Sequence, residues 1–214
     1  MDTRHYSPFD RLVVALDQSL KTLAGPVQTS ERSYPAAQVA DTTLSDEQRR
    51  TIAGLMRVNH SGEICAQALY QGQALTAKLP NIKEKMERAA IEENDHLDWC
   101  AKRLNELQSR PSLLNPLWYA GSFAIGAAAG FAGDKWSLGF VAETEKQVVR
   151  HLEAHLTQLP ADDLRDRAIL EQMKQDEGQH ATQAIEAGGA TLPAPVQKLM
   201  SLTSKIMTKI AFHI

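Results

Sequence analysis

Apolar positions recur with helical spacing along most of the chain. Phe9, Leu12, Val13, Leu16, Leu20 and Leu23 keep to one face of a 3.6-residue repeat, which predicts a first helix from about Phe9 to Leu23, stopped by Gly25-Pro26. Residues 26–43 are polar and irregular and predict a loop. Ser45 with Gln48 reads as a capping box, opening a helix that continues to about Lys78, before Pro80. Asn81 with Glu84 repeats that signature in its weaker Asn form, for a helix reaching Arg110. Residues 112–133 carry no charge at all. Asp134 is placed to cap the next helix, which ends near Leu159-Pro160. Asp162 or Asp163 starts another, closed by Gly188-Gly189, and Pro193 and Pro195 introduce a final helix to Ile214. No segment reads as a strand. Four long helices with a 22-residue connection in the middle predict an all-α fold, a four-helix bundle with a long crossover.

The bulk numbers agree with one domain. The chain has 214 residues, 43% of them hydrophobic, enough for a sizeable core, and only 6% aromatic, low for an all-β protein. A net charge of −3 gives no basic field for nucleic acid. Two cysteines, Cys65 and Cys100, are too few for a disulfide framework and fit a reducing cytosol; both read as core thiols. Asp2, His5 and Asp10 interrupt the basic-then-apolar layout of a secretory signal.

Chemistry enters with two Glu-x-x-His pairs, Glu93–His96 and Glu177–His180. At i and i+3 on a helix both side chains point the same way and can bind one metal. One such pair is weak evidence. However, Glu63 lies 30 residues before Glu93 and Glu145 lies 32 residues before Glu177. The chain thus repeats a unit: a helix with one Glu, a turn, and a helix with Glu-x-x-His. An antiparallel hairpin with arms of roughly 15 residues brings each lone Glu level with its pair, because both arms rise about 1.5 Å per residue. Two hairpins packed face to face then collect four carboxylates and two imidazoles, the ligand set of a di-iron carboxylate bundle. Hard carboxylate oxygens with few imidazoles suit iron or manganese better than zinc or copper. Four carboxylates balance two divalent ions, and without cations they would repel one another in a dry core.

Several stretches around these residues resemble one family. Arg57-Val58-Asn59-His60-Ser61-Gly62-Glu63, Glu92-Glu93-Asn94-Asp95-His96-Leu97, Pro116-Leu117-Trp118 with Gly121-Ser122-Phe123-Ala124-Ile125-Gly126, Thr144-Glu145 and Asp176-Glu177-Gly178-Gln179-His180 are similar to the motifs of the 3-demethoxyubiquinol hydroxylases of ubiquinone biosynthesis. The resemblance covers about residues 45–214, and residues 1–44 resemble only the longer bacterial members. It implies a ferritin-like fold, two iron ions per chain, and O2-dependent ring hydroxylation of a prenylated quinol on a membrane surface, expected at the cytoplasmic face of the inner membrane. It implies Glu63, Glu93, His96, Glu145, Glu177 and His180 as metal ligands, with Glu93 and Glu177 bridging. His151 matches a histidine that the family keeps near the metal, although it lies about 120° off the Glu145 face of an ideal helix. His60, three residues before Glu63, is a second candidate for a place beside the metal. His155 reads as a core or rim residue, and His5 and His213 as solvent-exposed. A lipid-binding partner protein is an expectation from the family, and a homo-oligomer is open. Two rival functions also stay open: a membrane quinol oxidase of the alternative-oxidase type, and a ferritin-like iron store.

The domain reading is an N-terminal helix and loop over 1–44 and a hydroxylase domain over 45–214. Residues 112–133 are long enough to span a bilayer, but a single span would separate Glu63, Glu93 and His96 from Glu145, Glu177 and His180. The segment is therefore expected to lie in the membrane interface as a crossover, with Trp118, Tyr119, Phe123, Ile125 and Phe131 supplying its apolar surface. In the tail over 195–214, Val196, Leu199, Met200, Thr203, Ile206, Met207, Ile210 and Ile214 share one arc, opposite Lys198, Lys205 and Lys209. That is the pattern of a basic amphipathic helix on an anionic bilayer.

Overall fold

The structure, a computed structural model, describes residues 8–25, 29, 30 and 32–214. His5, Pro26 and the side chains of Phe9, Leu12 and Asn81 lie outside the described residues. Seven helices and no strand occur among the described residues: α1 Pro8–Ala24, α2 Asp46–Thr76, α3 Pro80–Glu106, α4 Asn115–Phe131, α5 Asp134–Leu156, α6 Leu164–Glu186 and α7 Ala194–Ala211. α2 with α3 and α5 with α6 form the two hairpins, and together they make the bundle. Cross-links tie them face to face: Gln73 of α2 donates to the Ser137 carbonyl of α5 at 2.8 Å, and Arg103 of α3 grips Asp166 of α6 with contacts of 2.6–3.0 Å.

The ends of these helices follow local chemistry, with three departures from the sequence expectation. Ser45 and Gln48 do form the capping box of α2, and Asp163 caps α6 by accepting from the Asp166 N–H. Asn81 lies inside the first turn of α3 rather than at its cap position, so the helix does not start at the box expected there. Pro80 occupies the first turn of α3, leaving Leu79 as the cap residue with no side-chain bond of its own. The N–H groups of Lys78 and Leu79 donate instead to Asp134, both at 3.0 Å. Asp134 is therefore committed to the α2–α3 turn and does not cap its own helix, which begins after Gly133 at φ 111°, a backbone region glycine enters without strain. α3 also ends at Glu106, short of Arg110, where the Ser109 N–H turns back to the Leu104 carbonyl at 2.8 Å.

Two apolar clusters bracket the middle of the bundle. One gathers Ile52, Leu55, Met56, Trp99, Leu104, Leu152, Ile169 and Met173; the other gathers Tyr70, Ala74, Met86, Leu138, Val141 and Ala184. The polar residues of the candidate site lie between them in sequence on every bundle helix. Cys100 is buried in the first cluster, and Cys65 is half-buried.

α4 is the crossover, and it packs closely on the back of α2. A Cβ on Gly72 would collide with the backbone of Phe123 and Ala127, and one on Gly126 would collide with the Leu69 carbonyl. Only glycine at both positions permits this approach. Tyr119 is buried, stacks on Phe123 and bonds Gln71, so these two aromatics face α2 rather than the outside. Leu117, Ile125 and Phe131 face outward. No described helix is long and apolar enough to cross a membrane.

α7 lies against α2. Arg57 donates to the Phe212 carbonyl at 2.7 Å, Phe212 packs on the first core cluster and Ala211 is fully buried. This anchoring splits the arc drawn from the sequence. Met200, Met207 and Ile210 are half-buried, whereas Val196, Leu199, Leu202 and Ile206 are exposed together with Lys198, Lys205 and Lys209.

Candidate metal centre

Each hairpin contributes three residues at its mid-height: Glu63 on α2 with Glu93 and His96 on α3, and Glu145 on α5 with Glu177 and His180 on α6. All six are buried. Ligand-type atoms of Glu63, Glu93, His96 and Glu177 lie within 4.8 Å of one another. His96 Nδ1 stands 3.1 Å from Glu177, 3.3 Å from Glu93 and 3.7 Å from Glu63. His180 Nδ1 mirrors it, 3.1 Å from Glu93 and 3.2 Å from Glu177. Glu93 and Glu177 thus touch both imidazoles. Glu145 is approached by Tyr70, whose hydroxyl donates to it at 2.5 Å.

The electrostatics of this cluster are unfavourable without cations. Burial pushes the Glu63 carboxyl up, and neighbouring Glu93 and Glu177 push it further, against His96. Burial likewise raises Glu145, reinforced by Glu177 and Glu93. Burial would raise Glu93 too, but the His180 and His96 imidazoles outweigh it and hold Glu93 well below the usual carboxylate range. Burial opposes charge on His96 and His180; the surrounding carboxylates override it, raising His96 strongly and His180 to about 12. Protons are standing in for positive charge.

The unpaired atoms fit a metal better. Both oxygens of Glu93 and Nδ1 of His96 are buried with no aligned hydrogen bond, although they face each other at short range. Lone pairs that converge without donors between them are arranged for a shared cation. Each imidazole also meets a carboxylate with its outer nitrogen: His96 Nε2 lies 2.9 Å from Asp176 and His180 Nε2 lies 2.8 Å from Glu92. Such a carboxylate behind the ring takes the Nε2–H, fixes the tautomer and turns Nδ1 inward as the donor atom. Hard oxygens with two imidazoles are the donor set suited to iron or manganese.

The contacts of the remaining candidates are with other residues. His60 is buried and meets Asn115 of α4 at 3.3 Å. His151 lies against His155, 3.9 Å between ring centroids with the rings tilted by 59°. Burial lowers both imidazoles to about 4, and His155 to about 3 with the help of His151. The ring atoms His151 Nε2 and His155 Nδ1 are buried with no hydrogen-bond partner among the described residues, and His213 is exposed. Sequence reasoning assigned nothing to Tyr70, Glu92, Asp95, Asp176 or Arg32. Glu92, Asp95 and Asp176 adjoin ligand candidates in the chain, which is a readable signal; Tyr70, seven residues beyond Glu63, and Arg32, out in the loop, offered none.

A four-helix bundle with four carboxylates and two imidazoles buried at mid-height has the donor set of a ferritin-like carboxylate metal centre. The family model described as "Ubiquinone biosynthesis protein COQ7" matches residues 50–211, and the chain belongs to that family. It is 56% identical over 214 residues to the 3-demethoxyubiquinol 3-hydroxylase of Nitrosococcus oceani, covering 100% of both chains. It is 59% identical over 212 residues to the enzyme of that name from Acinetobacter baylyi, covering 99% of this chain and 100% of the relative. The Pseudomonas fluorescens enzyme of that name is 57% identical over 211 residues, 99% of this chain and 98% of its own.

Proposed function

We propose that this chain is a di-iron, O2-dependent monooxygenase that hydroxylates the ring of a prenylated 3-demethoxyubiquinol. The observation that carries this reading is the convergence of Glu93, both of whose oxygens lack hydrogen bonds, with the inward Nδ1 atoms of His96 and His180. Full-length relatives named for that reaction support the substrate and weigh against the quinol-oxidase and iron-store alternatives.

In this reading Glu63 and His96 would hold one ion and Glu145 and His180 the other, with Glu93 and Glu177 available to both. Bound iron supplies the activation of O2 that hydroxylation of an electron-rich ring requires. The protein supplies the rest. Asp176 and Glu92 take the outer protons of the two imidazoles and keep Nδ1 available. Tyr70 steadies Glu145 with its hydroxyl. The apolar clusters on either side keep water out, so charge forming at the ring is met by fixed groups. Ala66, Leu69, Tyr70, Phe140, Val141, Thr144 and Glu145 meet in a seam between α2 and α5 that has no room for a water molecule, so this seam would have to widen to admit a quinol ring.

Attachment to the cytoplasmic face of the inner membrane is part of the same proposal. A prenylated quinol resides in the bilayer. The outward residues Leu117, Ile125 and Phe131 of α4, Leu16 and Leu20 of α1, and Leu199, Leu202 and Ile206 of α7 are exposed apolar groups, those of α7 being flanked by lysines. The same faces could receive a second copy or a lipid-binding partner protein. Quinone mass spectrometry in cells lacking the chain tests the reading. Demethoxyubiquinone should accumulate and should clear on return of the parent gene but not of Glu177→Ala. A normal ubiquinone level without the chain would overturn it.

A further inference from the structure

The two halves of the centre are backed differently. Behind His180 stands Glu92, which among the described Arg and Lys side chains pairs with Arg88 at 3.6 Å, a mostly exposed group. Behind His96 stands Asp176, and the cation on it comes from outside the bundle. Arg32, in the loop between α1 and α2, donates from Nη2 to Asp176 Oδ2 at 2.5 Å, the same oxygen that meets His96 Nε2 at 2.9 Å. The other Asp176 oxygen accepts from Gln172 at 3.0 Å. The guanidinium lies over the ring of Trp99, 4.9 Å from its centroid, and Trp99 in turn sits 5.3 Å from the His96 ring. Two residues earlier, Ser30 donates to Asp95 with its N–H at 2.8 Å and with its hydroxyl at 2.5 Å. Ser30 and Arg32 therefore tie a carboxylate of α3 to a carboxylate of α6 across the end of the His96 half.

We propose that Arg32 is a positioning residue of the metal centre: by holding Asp176 against His96 it fixes the imidazole of the Glu63/His96 half and leaves the Glu145/His180 half alone. The physical reason is local. Asp176 is the partner that aligns His96, and without the guanidinium one of its oxygens would be tethered by the imidazole alone. The imidazole would then lose a fixed reference for its Nδ1. Planar Arg32 is suited to the place, since it can stack on Trp99 while directing an N–H at the carboxylate.

This inference rests on the metal-binding reading above, and the experiment separates the two. The full chain is titrated anaerobically with Fe(II) against a chelator, as parent, Arg32→Ala, Arg32→Lys, Asp176→Asn and the Arg32→Ala/Asp176→Asn double variant. Loss of an outer partner of a ligating histidine typically costs about 10–100-fold in metal affinity, and Arg32 acts one step further out. Arg32→Ala should therefore weaken one of two binding steps about tenfold and spare the other. Mössbauer spectra of the 57Fe-loaded chain should show one quadrupole doublet moved. Arg32→Lys, which keeps the charge within reach of Asp176, should recover part of the loss. In the Asp176→Asn background Arg32→Ala should add nothing, because its route to the metal is gone. Unchanged binding and spectra in Arg32→Ala would overturn the proposal, as would equal weakening of both steps, or losses that add in the double variant. If Arg32→Ala does not fold, parent-like binding in Asp176→Asn would overturn it. A parent chain that binds no iron would instead refute the function proposed above.

Discussion

Loading the proposed two-ion centre with divalent metal should expel protons, and charge balance sets how many. Glu63, Glu93, Glu145, Glu177, His96 and His180 are at most 7% exposed, so water cannot screen a net charge on them. Without metal, the cluster is neutral when its four carboxylates and two imidazoles share four protons. The shifts run that way: both imidazoles are held protonated, and burial pushes Glu63 and Glu145 toward keeping protons of their own. Two divalent ions reach the same neutrality with no protons at all. Uptake of the pair should therefore release about four protons per chain, about two for each ion, because the bound form needs neutral imidazoles and ionised carboxylates. Affinity should accordingly rise about a hundredfold per ion for each pH unit gained near neutrality and fall as steeply on acidification. Calorimetric titration of the metal-free chain with Mn(II) at pH 7, repeated in buffers of different ionisation enthalpy, gives the proton count from the slope of heat against buffer enthalpy. A count of one proton or fewer per ion would refute the charge balance.

Other perturbations test the surroundings. Tyr70→Phe removes the buried hydroxyl bonded to Glu145 and should cost the metal-free fold about 1–3 kcal/mol in urea unfolding; an unchanged midpoint would contradict the pairing. His155, lowered to about 3 mainly by burial and further by His151, stays neutral in the fold while the unfolded chain takes up a proton near its ordinary value of about 6.5. Its contribution is therefore retained above about 6.5 and lost as pH falls toward its folded value, about 2 kcal/mol between pH 7 and pH 5, so the stability gap between the parent and His155→Phe should shift by that amount; a gap independent of pH would contradict it. Leu199, Leu202 and Ile206 are more than half exposed, so changing all three to Gln should leave folding intact and weaken binding to anionic vesicles at least about tenfold; unaltered binding would remove α7 from the attachment proposal.

How much of this was legible in the sequence depended on whether the physics was local. The mid-height convergence of six side chains could be read because helical rise converts the 30- and 32-residue spacings into matching heights. The start of α3 could not, because the proline that breaks one helix also opens the next and moves the cap to Leu79, with Asp134 reaching back to serve that turn. The face of α7 was misdrawn because it has apolar residues on two sides, and the choice between them is made by Arg57 and by burial of Ala211 at the far end. The Ser30 and Arg32 contacts were invisible for the same kind of reason: Ser30 meets Asp95 across 65 residues and Arg32 meets Asp176 across 144, with no periodicity to connect them. Tyr119 and Phe123 looked like membrane aromatics until the glycine contacts of α4 turned that face onto α2.

The most direct test of the function is the origin of the oxygen in the product. The purified chain, loaded with iron and supplied with a reductant, would be given a prenylated 3-demethoxyubiquinol under 18O2, and the quinones read by mass spectrometry. Hydroxylation at this centre should yield a ring-hydroxylated quinone carrying one 18O atom, with no such product from Glu177→Ala. Consumption of O2 with oxidised but unhydroxylated quinone, or a product whose new oxygen comes from water, would contradict it.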